Sequence, residues 1–117
     1  MENKVAVVTG GNSGIGYATA KEFLTQGAKV IITGRNKQFV DSASKGLGIT
    51  GIVCDQSDTK DIFNVSVKLG NEFKQIDALV INAAVGLFAP IGNIDEEHYE
   101  KVMNTNFKGA LFTLQYF

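Results

Sequence analysis

Cysteine and histidine are scarce in this chain, and each scarcity narrows the classes of protein that it can belong to. There is one cysteine among the 117 residues, Cys54, so an internal disulfide framework is excluded and a cytoplasmic location is expected. The one histidine, His98, is the only imidazole base that a catalytic thiol could use. Because Cys54 ends an apolar run, we expect it to be an unreactive core thiol.

Long hydrophobic runs and an excess of charge are also lacking. No apolar stretch reaches the length of a membrane span or follows a charged start as in a signal peptide. The formal net charge of -1 gives no basic surface for nucleic acid or for a membrane. With 44% hydrophobic residues the composition is that of a globular protein, and residues 1–117 are expected to form one domain. No metal site is predicted.

Glycine is concentrated after the first apolar run. Gly10, Gly14 and Gly16 follow the run Val5–Thr9 in the pattern Gly-x-x-x-Gly-x-Gly and open a helical segment. Strand, turn and helix N-terminus together present backbone N–H groups and the positive end of a helix dipole, which favours an anion such as a pyrophosphate. The spacing differs from the dinucleotide pattern Gly-x-Gly-x-x-Gly, so that pattern is not met. A glycine-rich turn without a ligand is the alternative.

Apolar runs alternate with helical patterns along the whole chain. Strands are predicted over residues 5–9, 30–33, 49–54 and 78–81. Helices are predicted over 15–26 ending at Gly27, over 37–45 ending at Gly46, from near Asp58, and after Asp95, which caps 96–101. This alternation indicates an α/β fold of three αβα layers, Rossmann-like and doubly wound, with a parallel sheet in the order 3-2-1-4.

The last helical segment ends in the middle of its pattern. It finishes at residues 115–117 without a terminating glycine or polar cap, and the strand 78–81 would be an unprotected sheet edge. Since a doubly wound fold usually continues to strands 5 and 6, we expect a chain that is incomplete at its C-terminus. The alternative is a four-strand domain whose last helix covers the edge. The apolar face predicted for this helix comprises Met103, Phe107, Ala110, Leu111, Leu114 and Phe117.

Polar residues follow the later strands in a fixed order. Asp55 comes directly after the third strand, Asn82 and Ala83 come after the fourth, and Asn106 lies in the sequence Asn-Thr-Asn-Phe-Lys-Gly. Together with the turn from Thr9 to Gly16, this set resembles the short-chain dehydrogenase/reductase family, and the resemblance extends over the entire chain. The departures are Ile81 and Ala84, which replace Asn and Gly of the family's Asn-Asn-Ala-Gly segment.

The resemblance implies a nicotinamide dinucleotide as cofactor. In the family, the residue matching Asp55 accepts a hydrogen bond from the adenine amino group, and the amide matching Asn82 braces the sheet. Asn106 is then a catalytic member, because its family counterpart holds a water that connects the active-site lysine to solvent. Alternatively, Asp55 or Asp58 only caps the next helix, and Asn106 with Gly109 only bends its helix. The predicted cofactor-binding residues are Gly10, Asn12, Ser13, Gly14, Ile15, Gly16, Arg35, Asn36, Asp55, Gln56, Asn82, Ala83, Ala84 and Thr105.

The end of the second strand indicates which dinucleotide is preferred. A site for NAD(H) places an acidic residue there, which would repel a 2′-phosphate. Gly34 takes this position, and Arg35 follows with a guanidinium that can pair with phosphate. NADP(H) is therefore predicted over NAD(H). Against this, Ser13 stands where some NADP-binding members carry a second basic residue, and Arg35 could be only a solvated charge.

In the family, the proton transfer depends on a serine, a tyrosine and a lysine. These three residues follow the helix that carries the residue matching Asn106. Tyr17 and Lys21 fit the Tyr-x-x-x-Lys spacing but lie on the first helix, where the family has no catalytic pair. We therefore expect an oxidoreductase for carbonyl or alcohol substrates, present as its cofactor-binding part, inactive alone and a homo-oligomer at full length. The alternative is a non-catalytic module that binds NADP(H), and a methyltransferase or nucleotide-sugar enzyme fits the glycine spacing less well.

Overall fold

A computed structural model of the chain describes residues 2–12, 14–83 and 95–117. Four parallel strands form one sheet in the order β3-β2-β1-β4, which confirms the predicted class and order. The strands are β1 (Val5–Thr9), β2 (Lys29–Gly34), β3 (Thr50–Val53) and β4 (Ala78–Ile81). The helices are α1 (Gly14–Thr25), α2 (Lys37–Leu47), α3 (Thr59–Glu72), α4 (Glu96–Met103) and α5 (Gly109–Tyr116).

The central strand β1 divides its side chains between two hydrophobic cores. Val5 and Val7 pack on one face of the sheet with Ile62 and Leu69 of α3. Ala6 and Val8 point to the other face and pack with residues of α1 and α2. Since successive strand residues point to opposite faces, this burial gives the three layers that were predicted. No helix in the described ranges is long and apolar enough to span a membrane.

The helix ends follow the predicted signals except in α2. Asp58 and Asp95 cap α3 and α4 by accepting hydrogen bonds from the N–H groups of residues 60 and 98. The predicted end of α2 at Gly46 is wrong, because the helix continues to Leu47. It ends at Gly48, whose φ of 70° is left-handed and whose N–H bonds back to the carbonyls of the last turn. A glycine without a left-handed φ, such as Gly46, does not stop a helix.

The last helix contains a π-helical turn. The backbone runs from α4 through the turn Asn104–Lys108 into α5 with helical dihedral angles at both junctions. Thr105, Gly109 and Thr113 are the buried residues of the turn and α5. Phe112 and Tyr116 pack partly buried against the core on the α3 side. Four residues of the predicted apolar face, here called the apolar stripe, are exposed by 36% to 65%: Met103, Phe107, Leu111 and Leu114.

Candidate functional site

The carboxyl ends of all four strands border one cleft of about 410 Å³. Open parallel sheets bind ligands at this edge, where neighbouring strands continue to opposite faces. Ser13 and Ala84 lie outside the described residues. Gly14, Ile15, Gly16 and Asn106 are adjacent to the cleft in sequence but are not among the described residues that line it. Nine predicted site residues do line it: Gly10, Asn12, Arg35, Asn36, Asp55, Gln56, Asn82, Ala83 and Thr105.

The glycine turn brings the start of α1 against the end of β1. Gly10 has a φ of 65°, which places the turn in the left-handed region, and the N–H of Gly11 donates to the carbonyl of Thr33 at 3.1 Å. A Cβ on Gly16 would lie 2.2 Å from the carbonyl oxygen of Gly10. The helix therefore approaches the turn as closely as a backbone without a side chain allows. This places the positive end of α1 at the cleft, where an anion is favoured.

Thr9 and Asn82 join the ends of the two strands that flank the turn. The Thr9 hydroxyl oxygen accepts hydrogen bonds from the N–H groups of Asn82 at 2.9 Å and Ala83 at 3.1 Å. The side-chain amide of Asn82 donates to the carbonyl oxygen of Gly10 at 3.2 Å. Thr9 is 2% exposed, so these bonds are shielded from water. They fix Asn82 and Ala83 relative to the glycine turn, and the resemblance implies a bracing role of this kind for Asn82.

Asp55 and Arg35 give the cleft one negative and one positive group. Burial acts to raise the pKa of Asp55, but the hydroxyl and N–H of Ser57 bind its carboxylate at 2.7 and 2.9 Å and Arg35 lies near. The net effect lowers the pKa of Asp55 below its ordinary value, so the carboxylate is charged at neutral pH. Although Asp58 caps α3, Asp55 is not left entirely free for a ligand, because one of its carboxylate oxygens accepts both hydrogen bonds from Ser57.

Four lining residues are not among the predicted cofactor-binding residues. Thr33 and Gly34 are the last two residues of β2, Phe39 lies in the first turn of α2, and Cys54 precedes Asp55. The position of Phe39 follows from Asn36, whose side-chain oxygen caps α2 by accepting the N–H of Phe39 at 3.2 Å. In the sequence, Phe39 stands three positions after a residue that follows a strand and can cap a helix. This spacing could have indicated Phe39 as part of the cleft wall.

The thiol of Cys54 borders the cleft but is chemically quiet. Burial, together with the negative charges of Asp61, Asp55 and Asp58, raises the pKa of Cys54 to about 12. The thiol is therefore protonated at neutral pH, and the thiolate is the nucleophilic form of cysteine. This agrees with the expectation of an unreactive core thiol.

The π-helical turn carries the last predicted residues. Thr105 is 6% exposed and forms part of the cleft wall. Asn106 is the next residue and is exposed. A π-turn adds a residue to one turn of a helix and is frequent at functional sites. The turn therefore places Thr105 in the cleft wall and leaves Asn106 exposed.

The chain is similar to known proteins over nearly all of its length. The family model described as short chain dehydrogenase matches residues 4–117. Oxidoreductase asL5 of Sarocladium schorii is 38% identical over 120 residues, which cover 98% of this chain and 47% of that protein. Galactitol 2-dehydrogenase of Agrobacterium fabrum is 38% identical over 117 residues, which cover 98% of this chain and 46% of that protein. The chain spans about half the length of these curated relatives.

A solved structure gives the same similarity in three dimensions. The crystal structure of a metagenomic short-chain oxidoreductase in complex with NADP matches with a TM-score of 0.94 at 27% identity. The match covers 99% of this chain and 55% of that one.

Proposed function

This chain belongs to the short-chain dehydrogenase family, and we propose that it forms the cofactor-binding part of an NADP(H)-dependent oxidoreductase for carbonyl or alcohol substrates. The observation that carries the proposal is the cleft at the carboxyl ends of the strands, which is lined by Gly10 and Asn12 of the turn that leads into α1 and by one cationic and one anionic side chain. A dinucleotide needs these groups, since its phosphates are anionic and its adenine amino group is a hydrogen-bond donor.

We assign the two ends of the adenosine to the two charged residues. Asp55 accepts a hydrogen bond from the adenine amino group, because the pKa of Asp55 is lowered and its carboxylate is charged at neutral pH. Arg35 pairs with a 2′-phosphate, because a guanidinium presents several donors to phosphate oxygens. The start of α1 holds the pyrophosphate.

The surroundings of Gly34 support a preference for NADP(H). A Cβ at this position would lie 2.5 Å from the side-chain oxygen of Asn12 and 2.7 Å from a methyl group of Val40. An acidic side chain, which a site for NAD(H) would place here, therefore fits only if Asn12 and Val40 move. With no carboxylate at Gly34, a 2′-phosphate beside Arg35 meets no repulsion from that position.

Replacing Arg35 tests this assignment. We expect Arg35→Met to weaken NADPH binding by about 10- to 100-fold, which corresponds to the loss of a charge-assisted hydrogen bond. NADH binding should stay nearly unchanged, because NADH lacks the 2′-phosphate. Both dissociation constants can be measured by the fluorescence of the reduced nicotinamide.

The control for this variant is Lys45→Met, which removes a positive charge from the last turn of α2, the helix that follows Arg35 in the chain. It should leave the affinity for both cofactors within about twofold, since an exposed charge beyond a Debye length is screened. Equal affinity of the unmodified chain for NADPH and NADH would contradict the preference. Absence of binding to either would contradict the cofactor site itself.

When bound, NADP(H) supplies or accepts the hydride. We propose that Asn106 holds a water in a proton relay, as in the family, and that Thr105 contacts the cofactor from the π-turn.

The 117 residues alone are expected to catalyse no hydride transfer, so purified chain with NADPH and a panel of carbonyl compounds should show no loss of absorbance at the nicotinamide band. Turnover of any carbonyl would overturn this expectation.

A non-catalytic module that binds NADP(H) is the second candidate. It is favoured if the chain is monodisperse and binds NADPH with micromolar affinity.

The apolar stripe supports a homo-oligomer of the full-length protein, because its four large apolar side chains are exposed. The oligomer and the cytoplasmic location stay predictions.

A further inference from the structure

A buried polar contact joins the loop after β3 to the last helix. The side-chain amide nitrogen of Gln56 donates to the carbonyl oxygen of Gly109 at 2.9 Å and to the hydroxyl oxygen of Thr113. The Thr113 hydroxyl in turn donates to the carbonyl oxygen of Gly109 at 2.7 Å. Gln56 is 6% and Thr113 is 1% exposed. Buried polar groups are destabilising unless they are paired, so this contact selects one position of the helix against the loop.

The helix and the loop also meet at backbone distance. A Cβ on Gly109 would lie 2.1 Å from the carbonyl oxygen of Gln56. Gly109 is the first residue of α5 and its N–H bonds to the carbonyl of Asn104, which starts the π-turn. The contact of Gln56 is therefore made at the point where the π-turn ends. A movement of the loop after β3 would therefore be transmitted to the π-turn at the contact between Gln56 and Gly109.

The contact joins elements of two cleft walls, although Gly109 and Thr113 themselves do not line the cleft. Gln56 follows Asp55 on one wall, and the helix contributes Thr105 to the other. Because both hydrogens of the Gln56 amide are used by α5, the side chain has no donor left for a ligand. Its effect on the site then acts through the helix.

We propose that Gln56 is a positioning residue, which couples the occupancy of the cleft at Asp55 to the conformation of the π-turn that carries Asn106. The proposal rests on the proposed function, since it takes NADP(H) as the occupant. It identifies a route between the adenine end of the cleft and the residue assigned to the proton relay. The physical element of this route is the buried hydrogen-bonded contact with Gly109 and Thr113.

The test follows backbone amide signals of the ¹⁵N-labelled chain by nuclear magnetic resonance while NADP⁺ is added. The signals of Ile15 and Gly16 report binding at the glycine turn. Those of Phe107, Lys108 and Gly109 report the π-turn at residues that do not line the cleft. In the unmodified chain we expect both groups of signals to shift with the same dissociation constant.

The variant Gln56→Leu removes both side-chain hydrogen bonds of the contact, Thr113→Val removes the bond between Gln56 and Thr113, and Thr113→Ser keeps the hydroxyl. In the first two, the glycine-turn signals should still shift while the π-turn signals stay still. Thr113→Ser and Gln115→Leu, which changes an exposed glutamine of α5, should behave as the unmodified chain does. A contact that only stabilises the fold would lower the melting temperature and leave the π-turn shifts in place, and that result would overturn the proposal.

A second perturbation separates this proposal from the proposed function. Ser57→Ala removes the hydroxyl that binds Asp55 at 2.7 Å and so disturbs the loop without any cofactor. We expect this change to shift the π-turn signals in the otherwise unmodified chain and not in Thr113→Val. If NADP⁺ shifts no signal, the proposed function fails. The comparison with Ser57→Ala then still tests whether Gln56 couples the loop to the π-turn. Equal shifts in both backgrounds would overturn the coupling.

Discussion

Gly16→Ala is expected to abolish measurable NADPH binding and to lower the stability of the chain by more than about 3 kcal/mol, the upper range for overpacking. The added methyl group would lie 2.2 Å from the carbonyl oxygen of Gly10 and 2.6 Å from the amide nitrogen of Asn82. One of these atoms belongs to the backbone of the turn, so α1 must move away from the phosphate position. Thermal unfolding followed by circular dichroism and fluorescence titration with NADPH measure the two effects.

The matched control for this variant is Gly70→Ala. Gly70 lies in α3, and a Cβ there would meet no atom within 4 Å. Because alanine is favoured over glycine in helices, this substitution should stabilise the chain by about 0.5 kcal/mol and leave NADPH binding unchanged. A Gly16→Ala chain with the melting temperature and affinity of the unmodified chain would show that the helix and the turn are further apart than the structure has them.

Gly109→Ala is expected to lower the stability by about 3 kcal/mol and to weaken NADPH binding by about tenfold or more. Its methyl group would lie 2.1 Å from the carbonyl oxygen of Gln56, so α5 must withdraw from the loop after β3. Withdrawal moves Thr105 away from the opposite wall of the cleft while the glycine turn stays intact. The same two measurements apply, with Gly70→Ala again as the control.

A double variant distinguishes the backbone contact from the side-chain contact. Gln56→Ala in the Gly109→Ala chain removes the side-chain carbon that would lie 2.8 Å from the new methyl group, but the backbone carbonyl remains. We therefore expect no recovery of stability. Recovery would mean that the glutamine side chain, and not the backbone, sets the approach of α5.

The strands and the cleft could be predicted from the sequence because their signals are local. Each strand is a short apolar run between turn residues, and parallel strands bring the residues after their carboxyl ends to one edge of the sheet. This rule, alone or with the family resemblance, predicted that Asp55, Asn82 and Arg35 lie at this edge, where they line the cleft. The end of α2 was misplaced because Gly46 and Gly48 are both helix terminators in sequence, and only the backbone conformation distinguishes them.

The buried side of the last helix could not be predicted because the regular helical period does not hold there. A π-turn contains one residue more than an α-turn, so every residue after Lys108 is rotated by about 100° relative to a straight helix. The inward positions after the turn are held by Gly109 and Thr113, which a hydrophobic pattern does not reveal. The partner of Thr113, Gln56, lies 57 residues earlier and is also polar.

The strand order also sets the sequence in which the two walls of the cleft assemble during folding. On β1, Val7 pairs with Ile31 of β2 and with Leu79 of β4, so the second pairing closes a loop about three times as long. Longer loops are closed later because their closure loses more chain entropy before any contact repays it. The wall with Gly10, Arg35 and Asp55 therefore precedes the wall with Asn82 and Thr105. A chain emerging from the ribosome is therefore expected to bring together the residues proposed to hold the adenosine, Arg35 and Asp55, before Asn82 and Thr105 are in place.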